Sequence, residues 1–189
     1  NLSRIVEHWA RMRPNRVAIH FAGEDITWAA FARQVDEATL RLASLGVQRG
    51  DRVAFLGYNH PELLAILFAC ARLGAMLVPL NFRLAAVEHA DILAHAEASV
   101  LVADADFVGH AATFRARLPM LRLVALAGTP AGWFAWRGPV PTGFAPKLPG
   151  TDADPVLIVY TSGTTGRPKG AVHTQAGLLW NIVNATLYQ

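Results

Sequence analysis

The chain is poor in everything that marks a disulfide scaffold, a membrane span or a nucleic-acid binder. Its 189 residues hold one cysteine, Cys70, set inside an apolar run. No disulfide can close within the chain, and a thiol so placed reads as a small buried hydrophobe. A reduced, cytoplasmic setting is the simplest one. Histidines stand at positions 8, 20, 60, 89, 95, 110 and 173, without metal-ligand spacing. His89 and His95 are six apart and fall on different faces of a helix. Only 16% of residues are charged and the net charge is +3, which is too little for a nucleic-acid footprint. The densest basic group, Arg11, Arg13 and Arg16, reads as a solvated helix end. The longest apolar stretch, 63–80, is broken by Arg72 and Pro79, whereas a membrane helix needs about 20 apolar residues. Arg4, Glu7, Arg11 and Arg13 interrupt any leader-like apolar segment.

What is present is the makings of a packed core, since 53% of residues are hydrophobic. The pattern alternates. Strands are expected at 17–21, 52–56, 76–80, 99–103 and 121–126, and helices at 28–45, 61–73, 85–96 and 106–118. Asn59 or His60 with Pro61 marks a helix start, and Gly46 and Gly74 mark helix ends. Strand–helix alternation with unbroken apolar strands such as Val100-Leu101-Val102 predicts an α/β fold, a mainly parallel sheet with flanking helices. Residues 128–152 interrupt it with ten prolines and glycines from Gly128 to Gly150. No helix or central strand survives that density of breakers. The stretch reads as a surface excursion whose aromatics Trp133, Phe134, Trp136 and Phe144 pack back onto the body, or else as a docking segment. The expected organisation is 1–127 as an N-terminal α/β unit, 128–152 as the excursion, and 153–189 as strand, loop and helix.

The most informative run is Tyr160-Thr161-Ser162-Gly163-Thr164-Thr165-Gly166-Arg167-Pro168-Lys169-Gly170, entered directly from the apolar strand 156–160. Glycines let backbone N–H groups approach anionic oxygens, and successive N–H groups in a tight turn form an anion-binding concavity. Hydroxyls add donors, and a lysine adds a compact charge. Lys169 lies between Pro168 and Gly170, so this is not a Walker A loop. Glycines at 163, 166 and 170 do not make the dinucleotide fingerprint, and Tyr160 excludes a nucleophile elbow at Ser162. After it, Ala171-Val172-His173 is expected as a short strand, with Thr174 capping a helix to Leu187. His173 reads as structural.

The run resembles the phosphate-binding signature [YF]-[TS]-S-G-[TS]-[TS]-G-x-P-K-G of AMP-forming acyl-CoA synthetases and other adenylate-forming enzymes. Every position of that signature is met. Looser likenesses precede it in the family's order, at Ile26-Thr27-Trp28-Ala29-Ala30-Phe31 and at 71–81. The resemblance implies the N-terminal part of the adenylate-forming enzyme fold. It implies that Thr161, Ser162, Gly163, Thr164, Thr165, Gly166 and Lys169 bind the phosphates of ATP, with Gly166 and Gly170 serving backbone conformation and Pro168 rigidity. It implies a two-step reaction: a carboxylate attacks the α-phosphate of ATP, and a thiol then takes the acyl group. ATP, Mg²⁺ and coenzyme A are the cofactors so implied, and no catalytic residue falls within the chain. The block 78–83 is similar to bacterial fatty-acid–CoA ligases. An aryl-CoA ligase or a peptide-synthetase adenylation domain is the alternative, and a truncated nucleotide-binding module the non-enzyme one. A homodimer and peripheral membrane contact are left open. The family's Y-G-x-T-E block, ribose-binding aspartate and C-terminal lysine are absent. The resemblance therefore implies an N-terminal fragment, inactive alone. The family usually has Thr-His after the lysine segment. Here Thr174 is followed by Gln175, a departure from the pattern that speaks against a role for a histidine there.

Overall fold

The computed structural model describes residues 1–140, 142, 147–161 and 168–187. A first helix, α1 (Arg4–Met12), precedes an antiparallel hairpin of β1 (Val17–Phe21) and β2 (Glu24–Thr27). Next come α2 (Trp28–Ser44), β3 (Arg52–Leu56), α3 (Pro61–Leu73), β4 (Met76–Leu80), α4 (Ala86–His95) and β5 (Val100–Ala103). A 3₁₀ helix (Ala105–His110) leads into α5 (Ala111–Arg117), β6 (Arg122–Ala125) and β7 (Phe134–Ala135). The chain continues through β8 (Pro155–Thr161), β9 (Lys169–Thr174) and α6 (Gln175–Leu187).

One sheet of seven strands, in the order β7-β6-β5-β3-β4-β8-β9, organises the molecule, and every pairing except β8–β9 is parallel. The α/β expectation holds. Strand residues alternate between two cores. Val53, Phe55, Leu77, Val100, Val102 and Val124 pack with α2 and α3. Ala54, Leu56, Val78, Leu80, Leu101, Ala103, Leu123 and Ala125 pack beneath α4 and α5. Burial on both faces explains the continuous apolar runs, since burying each Val, Leu or Phe side chain contributes about 1.5–3 kcal/mol. Five residue pairs align β3 with β4, from Arg52↔Met76 to Leu56↔Leu80, and the β4–β8 ladder is registered at Leu77↔Leu157. Pro79 lies in this stretch of β4 and has no N–H to give a ladder.

Local chemistry sets the helix ends. His60 accepts the Glu62 N–H through Nδ1 at 3.2 Å, Pro61 begins α3, and Gly74 ends it in the left-handed region at φ 71°. Thr27 caps α2, its hydroxyl accepting from the Ala30 N–H at 3.2 Å. The helix expected over 106–118 instead starts as the 3₁₀ segment, with the Asp104 carboxylate accepting from the Ala105 N–H at 2.7 Å. Gly109 within it disfavours a full α-helical turn. Arg72, nearly buried, joins three helices through Asp36 at 2.5 Å and Glu7 at 3.1 Å.

Within 128–152, Trp133 and Trp136 are buried, one in each core, while Phe134 is exposed. Phe134 and Ala135 form an edge strand against Val124 and Ala125. At the far end of the stretch Gly150 lies against α3. Because β4 pairs with β8, residues on both sides of the stretch build one sheet. Phe144 lies outside the described residues. Among the described residues, no helix is long and apolar enough to cross a membrane.

Candidate phosphate site

Strand β8 carries the chain from the core to the signature. Val156 and Ile158 are buried, Tyr160 is half-buried and Thr161 is exposed. The strand turns back on itself as β9, with Tyr160 opposite Gly170 and Thr161 opposite Lys169. Directly opposite residues share a face. The Thr161 and Lys169 side chains therefore stand together on one face of the hairpin mouth, and Tyr160 stands on the other over Gly170. Ser162, Gly163, Thr164, Thr165 and Gly166 lie outside the described residues. Lys169, expected within the loop, is the first residue of β9, so the strand expected over 171–173 is longer at both ends. Its side chain is exposed and forms no ion pair among the described residues. The hairpin mouth lies at the carboxyl end of β8, the end of the parallel sheet where α/β proteins bind ligands.

Gly170 is needed for close approach. Its φ is not in the left-handed region. A Cβ there would lie 2.7 Å from Ile158 Cγ2 and 3.2 Å from Tyr160 Cζ. The role expected for it, backbone conformation, is thus replaced by steric room for an aromatic ring. The Tyr160 hydroxyl is 2.7 Å from His95 Nδ1, with the rings edge to face at 5.7 Å. Burial pushes the Tyr160 phenol up from its ordinary value, against the opposing pull of the Arg52 charge.

At the same end of the sheet, Tyr58, Phe82 and Phe107 form an aromatic group. Tyr58 lies 5.0 Å from Phe82 and 5.8 Å from Phe107, and the Arg83 guanidinium sits 5.5 Å over the Phe82 ring. Tyr58 and Phe82 are exposed. Phe82 and Arg83 belong to the block 78–83 noted in the sequence. Tyr58 carries no sequence signal of its own beyond following a short apolar strand.

Several residues fall elsewhere. His173 is half-buried in the ladder opposite Leu157. Thr174 caps α6, its hydroxyl accepting from the Gly177 N–H at 3.1 Å. Gln175, where a histidine is usual, is buried. Its amide oxygen accepts from the Leu2 N–H at 2.8 Å, and its nitrogen donates to the Ala71 carbonyl at 2.8 Å. One neutral amide thus ties the start of the chain to α3. Cys70 is fully buried, and burial pushes its thiol far up. Among the described residues no three His, Cys, Asp or Glu side chains converge as a cation site. A separate open cleft of about 750 Å³ lies between the β1–β2 hairpin, α2, the start of α3 and Trp136–Gly138. Among its charges, Arg137 pairs with Glu62 at 3.4 Å and Arg41 with Glu37 at 3.8 Å.

Comparison with known proteins follows the same lines. A family model described as AMP-binding enzyme matches residues 6–189. Indoleacetate–CoA ligase of Aromatoleum aromaticum is 43% identical over 187 residues, covering 97% of this chain and 37% of that protein. Feruloyl-CoA synthase of an Amycolatopsis species is 43% identical over 175 residues, covering 93% and 33%. A long-chain-fatty-acid–CoA ligase of Mycobacterium tuberculosis is 36% identical over 174 residues, covering 87% and 29%. The chain spans about a third of the length of these curated relatives. Among solved structures, the anthranilate CoA ligase AuaEII in complex with anthranoyl-AMP superposes with a TM-score of 0.83 at 29% identity, covering 93% of this chain and 35% of that one.

Proposed function

Since the chain belongs to the AMP-binding enzyme family, we propose that it is the N-terminal part of an ATP-dependent acid–thiol ligase, and that the hairpin mouth is its polyphosphate grip. The observation that carries this reading is the pairing of Thr161 with Lys169 across the mouth, at the carboxyl end of β8. A hydroxyl donor and an ammonium without an ion pair among the described residues, on one face, suit a polyphosphate, and the residues between them bring two more threonines, a serine and glycine amides. In the proposed reaction a carboxylate oxygen attacks the α-phosphorus of ATP, the bond to the bridging oxygen breaks, and pyrophosphate leaves. The coenzyme A thiol then attacks the acyl carbon and AMP departs. This chain's share is to hold the β- and γ-phosphates through 161–166 and Lys169, neutralising the charge that grows on pyrophosphate. Mg²⁺ bound to the nucleotide would share that charge.

For the acid we favour an aryl or arylalkanoic carboxylate. The two relatives at 43% identity are named for indoleacetate and ferulate, against 36% for the fatty-acid ligase. This displaces the fatty acid suggested by the block 78–83, which becomes the second reading. Carboxylate-dependent pyrophosphate exchange by the full-length protein decides between them, using indoleacetate, ferulate, anthranilate and palmitate. Exchange with palmitate alone would overturn the aryl assignment, and exchange with none would overturn the ligase. The loop assignment is tested by Lys169→Ala. A charge-assisted contact contributes about 1.5–3 kcal/mol, so kcat/KM for ATP should fall roughly ten- to a hundredfold at unchanged melting temperature. Lys169→Arg should restore only part, because a planar fork does not replace a compact ammonium. Unchanged kinetics in Lys169→Ala would refute the grip.

A further inference from the structure

We infer that His95 is a positioning residue for the hairpin stem that carries Thr161 and Lys169, acting through the Tyr160 hydroxyl. The inference rests on the ligase reading above. His95 is the last residue of α4, a helix held by the burial of Ala90, Ile92 and Leu93 against the sheet. Its backbone position is therefore set by the core. Its ring meets Tyr160 edge to face, and Nδ1 lies 2.7 Å from the hydroxyl. Across the hairpin the same Tyr160 ring fills the space that a side chain on Gly170 would need. The ring is thus held at its face by the backbone of β9 and at its tip by α4.

Tyr160 is also the last residue before the mouth. The next pair along the ladder is Thr161 with Lys169, the two described residues assigned to the phosphates. No other side-chain hydrogen bond among the described residues involves Tyr160, Thr161, Lys169 or Gly170. A fixed Tyr160 ring fixes the backbone on which that pair stands. The family signature accepts Phe or Tyr at this position, so the hydroxyl contact with His95 is a feature of this chain's own residues and not of the signature.

The end of α4 is itself tied down. Arg52, at the start of β3, donates to the carbonyls of Ala96 at 2.6 Å and Glu97 at 2.8 Å, and to the Glu97 carboxylate at 2.7 Å. Arg52 is also the charge that acts on the Tyr160 phenol. A continuous path therefore runs from the central strand β3, through the carboxyl end of α4, to the hairpin stem. His95 is the link in that path that touches the stem.

The full-length protein tests this in two ways. First, wild-type ATP–pyrophosphate exchange is measured, and its absence would overturn the ligase reading alone. Then His95→Ala, His95→Asn, Tyr160→Phe and the double variant His95→Ala/Tyr160→Phe are compared. One lost hydrogen bond predicts a rise in KM for ATP of roughly three- to tenfold in each single variant, with kcat nearly unchanged. The double variant should be no worse than either single one, because both remove the same bond. His95→Asn, whose amide can stand where Nδ1 stood, should recover most of the loss. Independently of any activity, amide hydrogen exchange in the peptide 160–170 should be faster in His95→Ala and restored in His95→Asn. Multiplying losses in the double variant, an Asn variant as poor as the Ala variant, or unchanged exchange in the peptide would each overturn the role given to His95.

Discussion

Replacing Gly150 with alanine is the sharpest test of how the Pro/Gly-rich stretch is fastened. Gly150 donates its N–H to the Arg72 carbonyl at 3.0 Å, and its carbonyl accepts from the Asn1 side chain at 2.9 Å. A Cβ at this position would lie 1.8 Å from the Ala71 carbonyl oxygen and 2.9 Å from that of Arg72. Both obstacles are backbone atoms in the last turn of α3, so no side chain can swing aside. The Ala71 oxygen also receives Gln175 Nε2 at 2.8 Å and Asn1 Nδ2 at 3.1 Å. Either α3 shifts or the segment around Gly150, which straps the stretch to α3, retreats, and retreat breaks the Gly150–Arg72 bond and disturbs the two donors on Ala71. Overpacking of this kind costs about 1–3 kcal/mol. Each disturbed hydrogen bond adds about 0.5–1.5 kcal/mol. The overpacking and the three bonds together put the expected loss at about 2.5–7.5 kcal/mol, a large share of the roughly 5–15 kcal/mol that holds a domain folded. Gly109→Ala is the control. It has open space and an ordinary φ, and should stabilise by about 0.4–1 kcal/mol. Urea denaturation followed by tryptophan fluorescence reads both, with the midpoint moving and the slope constant. A Gly150→Ala midpoint indistinguishable from wild type would refute the strap as described.

Gly170→Ala meets side-chain atoms instead, Ile158 Cγ2 at 2.7 Å and the Tyr160 ring, so about 1–3 kcal/mol should be lost, together with the Tyr160–His95 contact. Melting curves beside the tyrosine fluorescence of the hairpin check it. Stability should also fall in weak acid. His89 is fully buried, and burial holds its pKa below the ordinary 6.5, helped by the neighbouring His110 and opposed by the Asn81 carbonyl bond and Glu88. The unfolded chain therefore binds the extra proton first. The contribution is complete above pH 6.5 and is lost as pH falls from there toward the lower folded value. His89→Gln should flatten that part of the stability–pH curve, and an unchanged slope would count against it. Cys70, buried and with its thiol pushed far up, should resist a thiol-specific reagent in the native protein and react on unfolding; rapid native labelling would contradict its packing.

Much of this architecture is legible in the letters where local chemistry and burial agree. Helix α3 is bounded by Pro61 and Gly74 because those residues suit a first turn and a left-handed cap. Strands β3, β4 and β5 stand out because both their faces are buried. What is not legible depends on partners far along the chain. Strand β7 hides among prolines because its two residues are ordered by β6 and by Trp133 and Trp136 beside them. Strand β2 is concealed by a turn in which Ala22 adopts φ 52°, a conformation its side chain does not favour. At the site, motif and order place Thr161 and Lys169, but the hairpin that sets them opposite each other is a pairing, which residue types do not announce. The contact of His95 with Tyr160 and the clamp at Gln175 join positions 65 and 173 or 104 residues apart, beyond any periodic signal.

The seam between β4 and β8 bears on how the protein assembles. Strands β3 to β6 are linked by helical crossovers, β4 and β5 adding to opposite sides of β3 and β6 to β5, so each finds a partner already made as the chain emerges. The hairpin of β8 and β9 is a local structure that must return to β4 across everything from Leu80 to Pro155, a slow, late closure. Until it arrives, the outer edge of β4, with Leu77 and Val78, stands uncovered and could recruit a strand from another molecule. Pro79 blunts that edge, since a residue without an N–H interrupts any foreign ladder. The same proline that withholds an N–H from the seam with β8 thereby guards the half-made protein against misassembly.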